Sequence, residues 1–144
     1  MEKLEKLQQR LNTVQQAHQR FAESVRNMQK FKTNNHELYE MARDSAIKRF
    51  EFTIDPLWKF LRDYLLVVQD IRITEAGPRA VYRQAAKMGI IVASEEPIFM
   101  EMVESRNELA HTYNEYEAEL ITDKLSIYCE VLGNVVRRLK VPVA

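Results

Sequence analysis

Three side chains within six residues could act together on an anionic substrate. They are Arg106, Asn107 and His111. A guanidinium can hold a phosphate or carboxylate through two parallel hydrogen bonds, and an imidazole can accept or donate a proton near neutral pH. A cation, an amide and a proton-transfer group in one segment could therefore bind a phosphate and move a proton beside it.

The charge of Arg106 falls where the pattern predicts an apolar surface. Residues 99–113 show the spacing of one face of a helix, and Arg106 lies in the middle of its apolar stripe. Since an unpaired buried cation is strongly unfavourable, Arg106 needs a partner. An acid of the preceding long helix, Glu51 or Asp55, could be that partner, and so could an anion from outside the fold.

The spacing of Arg106 and His111 constrains how they could share a ligand. Five residues on an ideal helix turn the second side chain about 140° from the first. The two groups would converge only if the helix ends or distorts near Ala110, or if two chains each contribute one edge of a site.

Apolar residues recur at steps of three and four along most of the chain, which predicts amphipathic helices. The first helix is expected over residues 2–31. The second should start at Asn34 or Asn35 as N-cap and extend to about residue 71, with a kink or break near residues 52–56 caused by Pro56.

Three further helices are expected in the second half of the chain. A short one should begin at Pro78 and stop at Gly89. A fourth, with Ser94 as its N-cap, should run to about His111, and a last one should span residues 118–140.

Composition agrees with an all-α fold. Glycine and proline together supply only seven of 144 residues, which argues against a turn-rich β-sandwich or barrel. The length suits one domain over residues 1–144. We therefore predict an antiparallel up-and-down four-helix bundle with an additional short helix.

Several kinds of site are excluded or not expected. The three glycines are isolated, so there is no dinucleotide fingerprint and no P-loop. No C-x-x-C or H-E-x-x-H motif occurs, and neither a metal nor another cofactor is predicted. Residues 95–119 are strongly acidic, whereas residues 71–90 are basic, so a groove between helices three and four could be locally basic.

The remaining sequence features indicate where in the cell the protein is expected. One cysteine, Cys129, cannot form an internal disulfide, and the charged N-terminus lacks an apolar leader. Both features predict a cytoplasmic protein, and the apolar runs are too short to cross a membrane. Cys129 is expected to pack inertly in the last helix, and His18 and His36 are expected to be solvated surface residues.

Three stretches together resemble a known family. Residues 106–113, R-N-E-L-A-H-T-Y, resemble the R-x-x-x-x-H motif of the HEPN superfamily in its R-N-x-x-x-H-x-Y form. Residues 49–59, R-F-E-F-T-I-D-P-L-W-K, and 78–85, P-R-A-V-Y-R-Q-A, resemble its nucleotidyltransferase substrate-binding (HepT-like) branch. The resemblance covers residues 35–139, and Pro56 and Ala110 depart from the family's usual residues.

This resemblance implies a four-helix bundle that forms a homodimer and partners a separately encoded minimal nucleotidyltransferase, in a toxin–antitoxin-like pair. Arg106 and His111 would line a cleft at the dimer interface and cleave RNA without a metal. Asn107 would orient His111 or the phosphate, and Tyr113 resembles the tyrosine that the partner modifies with AMP. The chain lacks the G-S and D-x-D motifs of the transferase itself.

Three hypotheses follow. In the first, the chain is the HEPN-type subunit of such a pair and carries the ribonuclease site. In the second, it is a non-catalytic module that binds a nucleotide or another acceptor substrate and presents it to the nucleotidyltransferase. In the third, Arg106 only closes an internal ion pair in a structural bundle.

Overall fold

The computed structural model describes residues 2–143, which form six helices and no strand. In chain order the helices are α1 (Glu2–Phe31), α2 (His36–Gln69), α3 (Pro78–Lys87), α4 (Glu96–His111), α5 (Glu115–Thr122) and α6 (Leu125–Arg138). The predicted all-α bundle is confirmed. It contains two short helices, α3 and α5, where only one was expected.

Helices α1 and α2 form the long antiparallel pair on which the rest of the bundle packs. The turn between them ends at Asn35, whose side chain accepts a hydrogen bond from the amide of Leu38 at 3.0 Å. Asn35 is therefore the N-cap, as one of the two predicted candidates. The apolar stripe of α1 is buried against α2, including Leu11, Val14 and Phe21. Burial of this stripe is the main force holding α1 in place.

Helix α2 continues through Pro56, so of the kink or break predicted near residues 52–56, the break is absent. A proline inside a helix removes one backbone hydrogen bond and crowds the carbonyl four residues earlier, here that of Phe52. The side chains of Ile54, Leu57 and Phe60 on either side of it are buried in the core. Apolar packing on both sides of Pro56 thus outweighs its local effect and keeps α2 helical.

Replacing Pro56 by alanine is expected to stabilise the protein by about 1–3 kcal/mol, because the new amide can donate to the Phe52 carbonyl. Chemical denaturation of the two proteins measures the difference. The matched control is Pro78→Ala at the first residue of α3, where proline loses no helical hydrogen bond. Equal effects of the two substitutions would contradict this account of α2.

The predicted ends of α3 are confirmed. Pro78 is its first residue, and the chain leaves it through Gly89, whose positive φ of 78° favours glycine. The hydroxyl of buried Tyr82 donates to the carbonyl of Ile54 at 2.9 Å. This bond fixes α3 against the middle of α2.

The N-terminus of α4 differs from the prediction. Glu95, not Ser94, is the capping residue, and its carboxylate accepts a hydrogen bond from the amide of Val92 at 3.0 Å instead of bonding the first turn of α4. The same carboxylate is paired with Arg138 at the end of α6. An ion pair with the far end of the chain therefore determines this boundary, which local capping preferences could not reveal.

The predicted last helix over residues 118–140 is two helices, α5 and α6, separated by a tight turn at Asp123 and Lys124. The hydroxyl of Thr122 donates to the carbonyl of Ala118, and the amide of Lys124 bonds the carbonyl of Ile121, three residues back. Such side-chain bonds and tight turns compete with regular helix, and the apolar spacing on both sides of the turn concealed the break.

Candidate functional site

The guanidinium of Arg106 extends from α4 to α2 and meets two carboxylates there. Its Nε lies 3.2 Å from both oxygens of Asp55, its Nη2 lies 3.0 Å from Oδ2, and its Nη1 lies 3.8 Å from the carboxylate of Glu51. Hydrogen bonding to Asp55 raises the pKa of Arg106 despite partial burial. The two acids considered from the sequence as internal partners are thus confirmed as its neighbours.

Arg106 also lines an open cleft of about 290 Å³ between α2, the start of α3 and α4. Its side chain is 28% exposed, and among residues 2–143 no hydrogen bond reaches its Nη1. The cleft is lined by two cations, Lys59 and Arg106, and one acid, Asp55. An incoming anion could therefore bond to Nη1 while Asp55 keeps its contact with the other edge of the guanidinium.

Two aromatic residues of α2, Trp58 and Phe60, have different surroundings in the structure. Phe60 is fully buried in the core, whereas Trp58 is half-buried and lines the Arg106 cleft, with the guanidinium carbon of Arg62 5.4 Å from its ring centroid. Trp58 therefore supplies an aromatic wall to the cleft.

The structure brings Asn107 to this cleft but not His111. Asn107 lines it beside Arg106, and Ala110 closes the same wall. Helix α4 runs through Ala110 without interruption and ends at His111, which is exposed and does not line the cleft. Within one chain, therefore, Arg106 and Asn107 lie together at the cleft and the imidazole of His111 lies apart from it.

Tyr113 lies just beyond α4 and is 54% exposed. Its hydroxyl donates to the carboxylate of Asp44 on α2 at 3.2 Å. Partial burial and the charge of Asp44 raise the pKa of Tyr113, which keeps the phenol protonated at neutral pH. The hydroxyl is accessible and has an adjacent proton acceptor.

Next to Tyr113 is a buried cation that the sequence analysis missed. The side chain of Arg43 on α2 is only 3% exposed, and it bonds Glu115 at 2.7 Å and Glu119 at 2.6 Å, both on α5, as well as Asp44. These hydrogen bonds, that of Glu115 first, raise the pKa of Arg43. Arg43 thus anchors α5 to α2 and positions the segment that carries Tyr113.

A signal for Arg43 was present in the sequence. Arg43 follows Tyr39 by four residues and precedes Ile47 by four, so it shares a face with residues that pack in the core. Glu115 and Glu119 are also four residues apart and offer two carboxylates on one helix face. Arg106 and Arg43 both carry a charge on an apolar helix face, and Arg43 is the more deeply buried of the two.

Of the predictions for the three remaining residues, those for Cys129 and His36 are confirmed and that for His18 is wrong. Cys129 is buried, and burial raises the pKa of its thiol to about 11, so the predicted inert packing is confirmed. His36 is exposed as expected. His18, predicted to be a solvated surface residue, is instead partly buried, with its Nε2 2.8 Å from the carbonyl oxygen of Cys129.

Among residues 2–143, no group of three or more His, Cys, Asp or Glu side chains is arranged to hold a metal ion. Within the same residues no helix has the length and apolar character needed to cross a membrane.

Comparison with known proteins gives one family and one similar solved structure. The family model described as "Nucleotidyltransferase substrate binding protein like" matches residues 9–141. A crystal structure of a protein from Thermus thermophilus superposes with a TM-score of 0.64 at 28% sequence identity, covering 83% of this chain and 98% of that one. No curated protein matches the chain.

Proposed function

This chain belongs to the nucleotidyltransferase substrate-binding protein-like family, and we propose that it is the partner subunit of a separately encoded minimal nucleotidyltransferase, in a toxin–antitoxin-like pair. In this pair the chain forms a homodimer and carries a metal-independent ribonuclease site. Arg106, Asn107 and His111 form that site, and Tyr113 is the residue that the partner modifies.

The observation that carries the proposal is the cleft that Arg106 lines beside Asn107, where the Arg106 side chain is 28% exposed. An RNA phosphate in this cleft would meet the protons on Nη1, which lies 3.8 Å from the Glu51 carboxylate and forms no hydrogen bond within residues 2–143, and the guanidinium charge suits the one that develops on a phosphorane. Because the imidazole of His111 is exposed at the end of α4 and outside the cleft, a second copy of the chain supplies it across the dimer interface.

In the reaction, the ribose 2′-oxygen attacks the adjacent phosphorus and forms a new O–P bond. His111 takes the proton from the 2′-hydroxyl and returns it to the 5′-oxygen as the bond between that oxygen and the phosphorus breaks. The products are a 2′,3′-cyclic phosphate and a free 5′-hydroxyl. Arg106 stabilises the additional negative charge, and Asn107 orients the phosphate.

Tyr113 is suited to modification by its position. Its accessible hydroxyl can attack the α-phosphorus of ATP, forming an O–P bond while pyrophosphate leaves, and Asp44, 3.2 Å away, can accept the phenolic proton. The AMP group would add negative charge two residues after His111. That charge would repel an RNA phosphate from the site, which explains how modification silences cleavage.

A second candidate function is favoured by the pairing of Arg106 with Asp55. If this pair persists, the chain is a non-catalytic module that binds a nucleotide or another substrate in the Arg106 cleft and presents it to the nucleotidyltransferase. It then has measurable nucleotide affinity that is lost in Arg106→Ala, and it cleaves no RNA at any concentration.

Co-expression tests the first function against the second. Expressed alone, the chain should slow growth and fragment cellular RNA; with the adjacent nucleotidyltransferase gene it should do neither. Tyr113→Phe should remain toxic beside the partner, because it lacks the hydroxyl that accepts AMP. The matched control is Tyr116→Phe, an exposed tyrosine on α5, which the partner should still silence.

Equal growth and intact RNA in every combination would rule out the ribonuclease and leave the binding module. Silencing of Tyr113→Phe as complete as that of the unaltered chain would show that the partner acts without modifying this tyrosine.

A further inference from the structure

A second groove, on the opposite pair of helices, is unlike the Arg106 cleft in its charge. It lies between α1 and α6 and has a volume of about 550 Å³. Its lining includes two arginines and a histidine but no aspartate or glutamate, namely Gln15, His18, Gln19, Ala22, Arg26, Gly133, Val136 and Arg137. Since the whole chain has no net charge, a groove that the described residues line with two arginines and no acid is a local feature.

The imidazole of His18 is held in one orientation at the floor of this groove. Its Nε2 lies 2.8 Å from the carbonyl oxygen of Cys129, and since a carbonyl can only accept, Nε2 is the donor. In the neutral ring Nδ1 is then an acceptor, so the arginines and not His18 supply the donors for an anion. The ring approaches the backbone of α6 this closely because Gly133 has no side chain there.

Gly133 also shows that His18 and Arg137 converge. A Cβ placed on Gly133 would lie 2.8 Å from the His18 ring and 3.0 Å from Nη1 of Arg137. The imidazole and the guanidinium are thus less than 6 Å apart, and both lie next to the backbone of α6 at Gly133, where there is no side chain. An alanine at this position would fill the space between them.

The two arginines have few partners of their own. Among residues 2–143, neither Arg26 nor Arg137 has a carboxylate within 4 Å, and the recorded side-chain hydrogen bond of Arg137 goes to the amide oxygen of Asn134 at 2.6 Å. Both charges affect the same group, the thiol of Cys129: each lowers its pKa, whereas burial raises it. Two guanidiniums facing one groove without an acid leave several strong donors available to an anion.

His18 and Cys129 do not form a nucleophilic pair, although the sulfur lies 3.8 Å from Nε2. Burial raises the pKa of the thiol to about 11, so it is protonated at neutral pH, and the Nε2 proton points to a carbonyl. The groove is therefore equipped for binding and not for covalent chemistry.

The geometry points to a binding site for a small phosphorylated ligand of nucleotide size, with a di- or triphosphate held between Arg26 on α1 and Arg137 on α6, above Gly133 and beside His18. The volume is in the range of small-molecule sites. A folded or single-stranded RNA is a poorer fit, because no aromatic side chain lines the groove to stack a base. This site shares no residue with the Arg106 cleft and does not depend on the proposed function.

Calorimetric titration of the purified chain tests the site with four probes: inorganic pyrophosphate, ATP, adenosine and a single-stranded RNA oligonucleotide. Pyrophosphate and ATP should bind saturably, and adenosine should not bind. ATP binding more tightly than pyrophosphate would show that the nucleoside adds contacts, whereas equal affinities would show that the phosphates suffice. Either result supports the site.

Arg26→Gln and Arg137→Gln should each weaken pyrophosphate and ATP binding about tenfold or more, because each removes a charged hydrogen-bond donor. Both residues are exposed, so the variants should fold, which circular dichroism checks. The matched control is Arg20→Gln, also exposed and on α1 but outside the groove; it removes the same charge and should change the dissociation constant less than about twofold.

Three results would overturn the inference. They are no saturable binding of pyrophosphate or ATP, affinities that fall equally in Arg20→Gln and the groove variants, and binding of the RNA alone. Because Arg26 and Arg137 lie outside the Arg106 cleft, Arg26→Gln and Arg137→Gln should leave RNA cleavage unchanged, so a failure of this site is distinguishable from a failure of the proposed ribonuclease.

Discussion

Replacing His111 by alanine is expected to lower RNA cleavage by about 10²–10⁴-fold, because the imidazole is the proposed proton acceptor. Growth inhibition by the chain expressed alone should disappear with it. Cleavage of a labelled RNA by the purified protein measures the loss. His36→Ala is the matched control, since His36 is also an exposed histidine, on α2 and away from the Arg106 cleft.

His111 is exposed and forms no side-chain hydrogen bond with any of residues 2–143, so its removal should leave the free energy of unfolding unchanged. Loss of activity without loss of stability separates a role in the reaction from a role in the fold. Cleavage at the original rate in His111→Ala, with identical products, would remove this residue from the mechanism.

Mixed dimers test whether two copies share the site. If Arg106 of one chain acts with His111 of another, a dimer of Arg106→Gln with His111→Ala keeps one intact site, although each variant alone is inactive. Random mixing should then restore roughly a quarter of the original activity, given two-fold symmetry. No recovery would place both groups of an active site on the same chain.

The second large expected effect is a loss of folding stability when Arg43 is replaced. Arg43→Met is expected to destabilise the protein by about 3 kcal/mol, because it removes a buried cation that joins α2 to α5. This is the lower end of the range for broken buried ion pairs, since the carboxylates of Glu115 and Glu119 can be rehydrated. Chemical denaturation monitored by circular dichroism measures it.

Arg20→Met is the control for this substitution, because Arg20 is exposed and forms no ion pair within the described part of the chain, residues 2–143; it should change stability by less than about 0.5 kcal/mol. Arg43→Met should also free the segment from Tyr113 to α5. Faster hydrogen exchange in α5 than in α6 would confirm a local anchoring role, whereas equal effects of the two substitutions would show that Arg43 contributes no more than a surface charge.

The helices and their apolar faces could be predicted from the sequence because both depend on local order. The spacing of apolar residues along α1 and the N-cap that Asn35 provides for α2 each involve residues close together in the chain. The same holds for Pro78 and Gly89 around α3. The motif from Arg106 to Tyr113 was also visible, with Glu51 and Asp55 recognised as possible partners of Arg106.

Other features depended on contacts between distant parts of the chain. Arg43 meets residues 72 and 76 positions away, and His18 meets a carbonyl 111 positions away. The start of α4 depends on Arg138. Helical periodicity says which face of a helix is buried, but the neighbour of that face is selected by how the helices pack. Only the tertiary structure could therefore show that Arg106 is both paired and open to a cleft, and that His111 stands apart from it.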